Sequence, residues 1–121
     1  MNTTTKIKTI KPKKELTARQ QVNIIKKALE DKKGKDIVAL NVTKLTVMAD
    51  YFIVASATNS PQVRALAENV DEKMSEKGIE PTRRDGFSDS RWIVLDYGDV
   101  IVHVFKDEYR LLYALEELWG K

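Results

Sequence analysis

Apolar residues recur at helical spacing in three stretches of the chain and run almost unbroken in several others. From Leu16 onward, Thr17 and Gln20 have the spacing of a capping box, and Ala18, Val22, Ile25, Ala28 and Leu29 follow as one helical stripe. Gly34 is placed to end this first helix. Residues 37–42 and 51–57 are apolar almost throughout, the pattern of strands covered on both faces. Ser60 as N-cap, with Pro61 in the first helical position, then starts a second helix whose stripe is Val63, Leu66, Ala67, Val70 and Met74. Residues 79–84 form a weaker strand interrupted by Pro81, and residues 86–91 form a polar loop. Residues 92–97 and 100–105 read as a hairpin around Gly98 and Asp99. A last helix begins near Asp107, with Leu111, Leu112, Leu115, Leu118 and Trp119 on its inner face. The order α β β α β β β α predicts an α/β sandwich: one mixed, mostly five-stranded sheet with three helices. A crossover through the Pro61 helix is right-handed if it joins parallel strands.

The hairpin sorts its own faces. With a two-residue turn, Tyr97 opposes Val100, Leu95 opposes Val102 and Ile93 opposes Val104. The other face pairs Asp96 with Ile101, Val94 with His103 and Trp92 with Phe105. The first set is aliphatic apart from Tyr97, as a core layer requires. The second mixes aromatic, polar and aliphatic groups. Five strands span about 24 Å, and helices packed about 8–10 Å apart cover one such face in pairs. Three helices therefore leave part of one face open, and the mixed layer suits that exposure. Two arrangements fit the periodicity: an open face anchored by Trp92, or Trp92 and Phe105 beneath the third helix with His103 as a hydrogen-bonded core residue.

Composition narrows the chemistry. With 42% hydrophobic and 32% charged residues, the chain is globular, and no apolar run approaches the ~20 residues of a membrane span or reads as a signal peptide. Absence of cysteine excludes disulfides, thiolate metal sites and thiol catalysis, and a single histidine excludes a His-rich site. A cytoplasmic protein without cofactor or metal is expected. The net charge of +3 divides unevenly: residues 1–14 carry five lysines and no acid, and the remaining 107 residues carry 16 basic and 18 acidic groups. Residues 1–14 are expected to be a disordered basic tail, either a solubilising extension or a weak RNA contact, and residues 15–121 one domain. The body itself lacks the basic face that nucleic-acid wrapping needs.

Candidate catalytic groups are sparse. Asp96 and His103 are diagonal neighbours on one hairpin face and within hydrogen-bonding reach, with Asp99 apart in the turn. The stretch holding Ser56, Thr58, Asn59 and Ser60 lies between a strand and a helix, where phosphate can meet helix amides, but it contains no glycine. Its hydroxyls are accounted for by capping.

Two blocks carry a family resemblance. Asp50-Tyr51-Phe52-Ile53-Val54-Ala55-Ser56, followed by Asn59-Ser60-Pro61-Gln62-Val63-Arg64-Ala65-Leu66-Ala67, resembles the first block of the Iojap-like ribosomal silencing factors. The run from Trp92 through Leu95-Asp96-Tyr97-Gly98-Asp99 to Val102-His103-Val104-Phe105 is similar to their second block, and Tyr109, Tyr113, Leu115-Glu116 and Leu118-Trp119 to their closing helix. The likeness covers about residues 18–120; Ala57-Thr58 stands where many members have a glycine. It implies a nucleotidyltransferase-like core and a non-enzymatic repressor of translation. Such proteins bind the large ribosomal subunit through a protein of the universal L-fourteen family and block joining of the small subunit. Organelle relatives act in large-subunit assembly. A nucleotidyltransferase-like enzyme is the rival, and it needs paired metal-binding acids; no Asp-x-Asp falls on an expected strand. Partner contact is expected at Trp92, Asp96, Tyr97 and His103, with Trp92 as anchor. A homodimer through the open face is a further expectation.

Overall fold

The computed structural model describes residues 16–113. The elements are α1 (Ala18–Asp31), β1 (Lys35–Asn41), β2 (Tyr51–Ala57), α2 (Ser60–Glu76), β3 (Arg83–Asp85), β4 (Trp92–Asp96), β5 (Val100–Lys106) and α3 (Asp107–Tyr113). Residues 1–14, and Leu115, Leu118 and Trp119 of the expected last helix, lie outside the described residues, as do the side chains of Leu111 and Leu112.

The five strands form one mixed sheet in the order β1-β2-β5-β4-β3. Its centre is the parallel pair β2 and β5, and the other pairings are antiparallel. The hairpin register is the expected one, with Trp92 opposite Phe105, Val94 opposite His103 and Asp96 opposite Ile101. Tyr97 N–H donates to the Val100 carbonyl at 2.9 Å and closes the two-residue turn, in which Gly98 takes φ +86°.

α1 starts on the expected capping box: Gln20 N–H donates to Thr17 Oγ1 at 3.1 Å, and Thr17 N–H to Gln20 Oε1 at 2.8 Å. The left-handed residue that ends the helix is Lys33, at φ +63°, rather than Gly34. Gly34 is needed for closeness instead, since a Cβ there would sit 3.1 Å from the Leu29 carbonyl oxygen. α2 is capped by Asn59, not Ser60. Asn59 Oδ1 accepts from Gln62 N–H at 2.9 Å, and Ser60 is already helical. An amide carbonyl accepts as well as a hydroxyl, and two adjacent candidates are not separable by type alone.

Both long helices lie on one side of the sheet. Val22, Ile25 and Leu29 of α1, and Val63, Leu66, Val70 and Met74 of α2, close over Ile53, Ile93, Leu95, Val102 and Val104 in a single core. Asn69, buried between the helices, donates from Nδ2 to the Ala28 carbonyl at 2.8 Å and fixes their mutual position. Two strands depart from expectation. β1 is an edge strand with half-exposed residues 37–40, where its unbroken apolar run had implied cover on both faces. The weak strand at 79–84 shrinks to Arg83–Asp85, because Pro81 offers no donor to a ladder.

Candidate functional site: the open sheet face

The face away from α1 and α2 is built from three cross-strand rows. Leu40, Phe52, Ile101 and Asp96 form the row nearest the β4–β5 turn. Val38, Val54, His103 and Val94 form the middle row, and Ser56, Phe105 and Trp92 the third. α3 lies over the third row. Arg110 reaches down from it, donating to Ser56 Oγ at 3.2 Å and to the Lys35 carbonyl at 3.4 Å, and Lys35 Nζ meets Asp107 Oδ2 at 2.6 Å. Ser56 and Phe105 are enclosed there, Val54 and His103 are buried in the middle row, and Leu40, Phe52, Ile101, Asp96, Val38 and Val94 remain half-exposed.

Both arrangements weighed from periodicity are therefore partly realised. Phe105 is a core residue under α3; in the middle row Val54 and His103 are buried between half-exposed Val38 and Val94, and the row nearest the turn is half-exposed throughout. Trp92 stands at the boundary, half-exposed, with its ring stacked on Phe105 at 5.1 Å between centroids. Its Nε1–H donates to His103 Nδ1 at 3.1 Å. That bond places the proton of the neutral imidazole on Nε2, which has no hydrogen-bond partner among the described residues. The Phe52 ring packs against the same imidazole at 4.9 Å.

Asp96 and His103 do not bond each other as the sequence allowed. Asp96 Oδ1 accepts the Gly98 amide at 2.8 Å and so shapes the turn. Tyr97 points to the helix side and is buried in the main core, where desolvation raises its pKa, with Asp71 adding to the shift. Among the described residues no three His, Asp or Glu side chains converge as metal ligands do, and no helix is long and apolar enough to cross a membrane.

Burial pushes the His103 pKa down to about 4, the nearby Asp96 charge opposing only in part. The unfolded chain takes up this proton near pH 6.5, so between about pH 6.5 and 4 it binds more protons than the native state. Stability is then full above pH 7 and falls with acidification across that window, by about 2 kcal/mol once residual exposure is allowed for. His103 is the sole histidine, so the slope between pH 5 and 6.5 is its own. Denaturant unfolding at stepped pH should show it in the wild type and lose it in His103→Phe.

An apolar centre of Leu40, Phe52, Ile101 and Val94 with a charged border is the anatomy of a protein-binding surface. The border consists of Asp96, the Arg83–Asp85 ion pair at 3.1 Å on one edge and the Lys35–Asp107 pair on the other. Leu40, Phe52 and Val38 were not legible as part of it. Two continuous apolar strands give no alternation to sort their faces, and the nine-residue connection between them sets no register. Only the parallel pairing of β2 with β5 brings Phe52 opposite Ile101.

Comparisons with known proteins bear on the family and the fold. The family model described as "Ribosomal silencing factor during starvation" matches residues 15–121. The ribosomal silencing factor of Bacillus subtilis is 40% identical over 93 residues, 77% of this chain and 79% of that protein. Chloroplastic protein Iojap of Zea mays is 32% identical over 94 residues, 78% of this chain and 41% of its own length. The crystal structure of a Chromobacterium violaceum protein superposes with a TM-score of 0.84 at 38% identity, covering 86% of this chain and 87% of that one.

Proposed function

The chain belongs to the ribosomal silencing factor family, and from that premise we propose that it represses translation as a binding protein seated on the large ribosomal subunit. The docking surface in this reading is the open sheet face, and the partner is a protein of the universal L-fourteen family, at the place where the small subunit would join. The observation that carries the reading is the half-exposed row Leu40, Phe52, Ile101, an apolar strip across three strands that ends at Asp96 and that the described helices leave uncovered. Occupying a face needed by another particle requires no chemistry. Repression follows from mass action, in proportion to the fraction of large subunits occupied.

Within that surface Trp92 is the anchor, and His103 and Phe105 hold its ring in place. Asp96 keeps one carboxylate oxygen on the turn amide and presents its charge at the rim, where it acts on orientation and association rate. Tyr97, on the opposite side, backs the turn from within the core. The test is co-sedimentation with purified large subunits, followed by light scattering after small subunits are added. The chain should pellet with large subunits and slow joining in proportion to occupancy. A chain that stays in the supernatant, or pellets without affecting joining, overturns the reading.

A further inference from the structure

The connection between β1 and β2 holds the exposed large hydrophobic side chains of the described residues: Leu45 at 51% exposure, Val47 at full exposure and Met48 at 77%. Single exposed aliphatics are ordinary on a protein surface. Three within four residues form a patch, and this one is held rigidly. Val42 N–H donates to the Asp50 carbonyl at 2.9 Å, and the amides of Leu45 and Thr46 both donate to the Val42 carbonyl. Met48 N–H donates to Thr46 Oγ1, and Asn41 Oδ1 accepts from both the amide and the hydroxyl of Thr43. Val42 and Ala49 are buried at either end. The backbone is thus fixed by its own hydrogen bonds, and most of the surface of these three side chains is left to solvent.

The loop is also tied to the open face. The amides of Asp50 and Tyr51 both donate to the Asp99 carbonyl, at 2.8 and 3.1 Å, which sets the loop beside the β4–β5 turn. Leu40 and Phe52, which lead into and out of this connection, belong to the row nearest that turn. We propose that Leu45, Val47 and Met48 are a second contact of the docking surface, entering an apolar recess on the same large-subunit protein that covers the sheet face. The inference rests on the docking reading above. Its occupant is a protein surface because residues 43–49 offer aliphatic and thioether groups and one cation, Lys44. A nucleic acid would call for several cations or stacking rings. A preformed loop also binds with little ordering cost, which favours a fixed recess.

Two measurements test it on the full chain. The paired substitution Val47→Ser with Met48→Ser should weaken co-sedimentation with purified large subunits at least tenfold, with the melting temperature of the free protein unchanged. In the wild type, mild peroxide should oxidise Met48 to the sulfoxide when free and spare it when bound to large subunits, as read by mass spectrometry. If the wild type pellets and the paired variant pellets equally, or Met48 oxidises at the same rate in both states, the loop contact is wrong and the sheet-face reading stands. If the wild type does not pellet, the docking reading fails and this one with it. If the paired variant abolishes self-association while leaving subunit binding intact, the occupant is a second copy and the proposal is overturned.

Discussion

Replacing Trp92 with alanine is expected to weaken binding to the large subunit at least tenfold, about 1.4 kcal/mol, and to lower the stability of the free protein by about 2 kcal/mol. Both effects come from the same ring. One side stacks on Phe105, which is fully buried, and the rest faces the open rows. Truncation therefore strips packing from the boundary of the core, and it leaves His103 Nδ1 without the indole donor. A half-buried tryptophan at the boundary between covered and open parts of a sheet face is also the type of residue on which interfaces concentrate their energy. Trp92→Phe separates the two roles. It keeps the stack, removes the N–H, and should cost about 1 kcal/mol of stability while retaining most of the binding. Chemical denaturation and co-sedimentation on both variants give the four numbers required. Unchanged binding in the alanine variant would make Trp92 a packing residue and leave the contact to the row of Leu40, Phe52 and Ile101.

Gly86→Ala is expected to cost about 3–4 kcal/mol, a loss out of proportion to one methyl group. Gly86 has φ +90°, and a Cβ there would overlap the Trp92 carbonyl oxygen and press on Ile93 Cα at 3.1 Å. These are backbone atoms of β4, held in its ladder with β5, so they cannot swing aside as a side-chain tip does. The strain spreads further. The Gly86 carbonyl accepts the Ser90 amide at 2.9 Å, and the Phe87 carbonyl and ring between them hold Arg64. Thermal unfolding should show the difference against Gly78→Ala, where φ is +80° but the added methyl meets open space. There only the left-handed backbone penalises alanine, by about 1 kcal/mol. A Gly86 variant no worse than the Gly78 one would mean that the loop moves away from β4 without cost.

The sequence was most informative where opposed residues had to satisfy one another. In the hairpin a two-residue turn leaves a single pairing that puts Ile93, Leu95, Val102 and Val104 on one side, and that pairing is the one observed. Thr17 and Gln20 were legible for the same reason, since each side chain fills the other's backbone vacancy. β1 and β2 were found as strands, but their faces were not. Neither has polar alternation, and an edge position depends on strand order rather than on composition. The Asp96–His103 bond that the spacing allowed does not form, because each group has a nearer partner, the Gly98 amide and the Trp92 indole. Local donors commonly win such competitions, and diagonal spacing carries no information about them.

A sheet that keeps part of one face bare should be prone to growing sideways into filaments, and here both ends are guarded. At one end β3 is three residues long and reads Arg83-Arg84-Asp85, every one of them exposed. An incoming strand would have to strip water from three charges to gain three residues of ladder. At the other end the register of β1 shifts between Lys35 and Val38, and Asp36 turns to φ +49°, a bulge that bends half the edge out of line. Growth in the plane of the sheet is discouraged at both margins, so contacts made by the bare rows are directed outward along the sheet normal. Blunted margins thus restrict an apolar face to contacts that end with the partner laid upon it, instead of contacts that repeat from copy to copy along an edge.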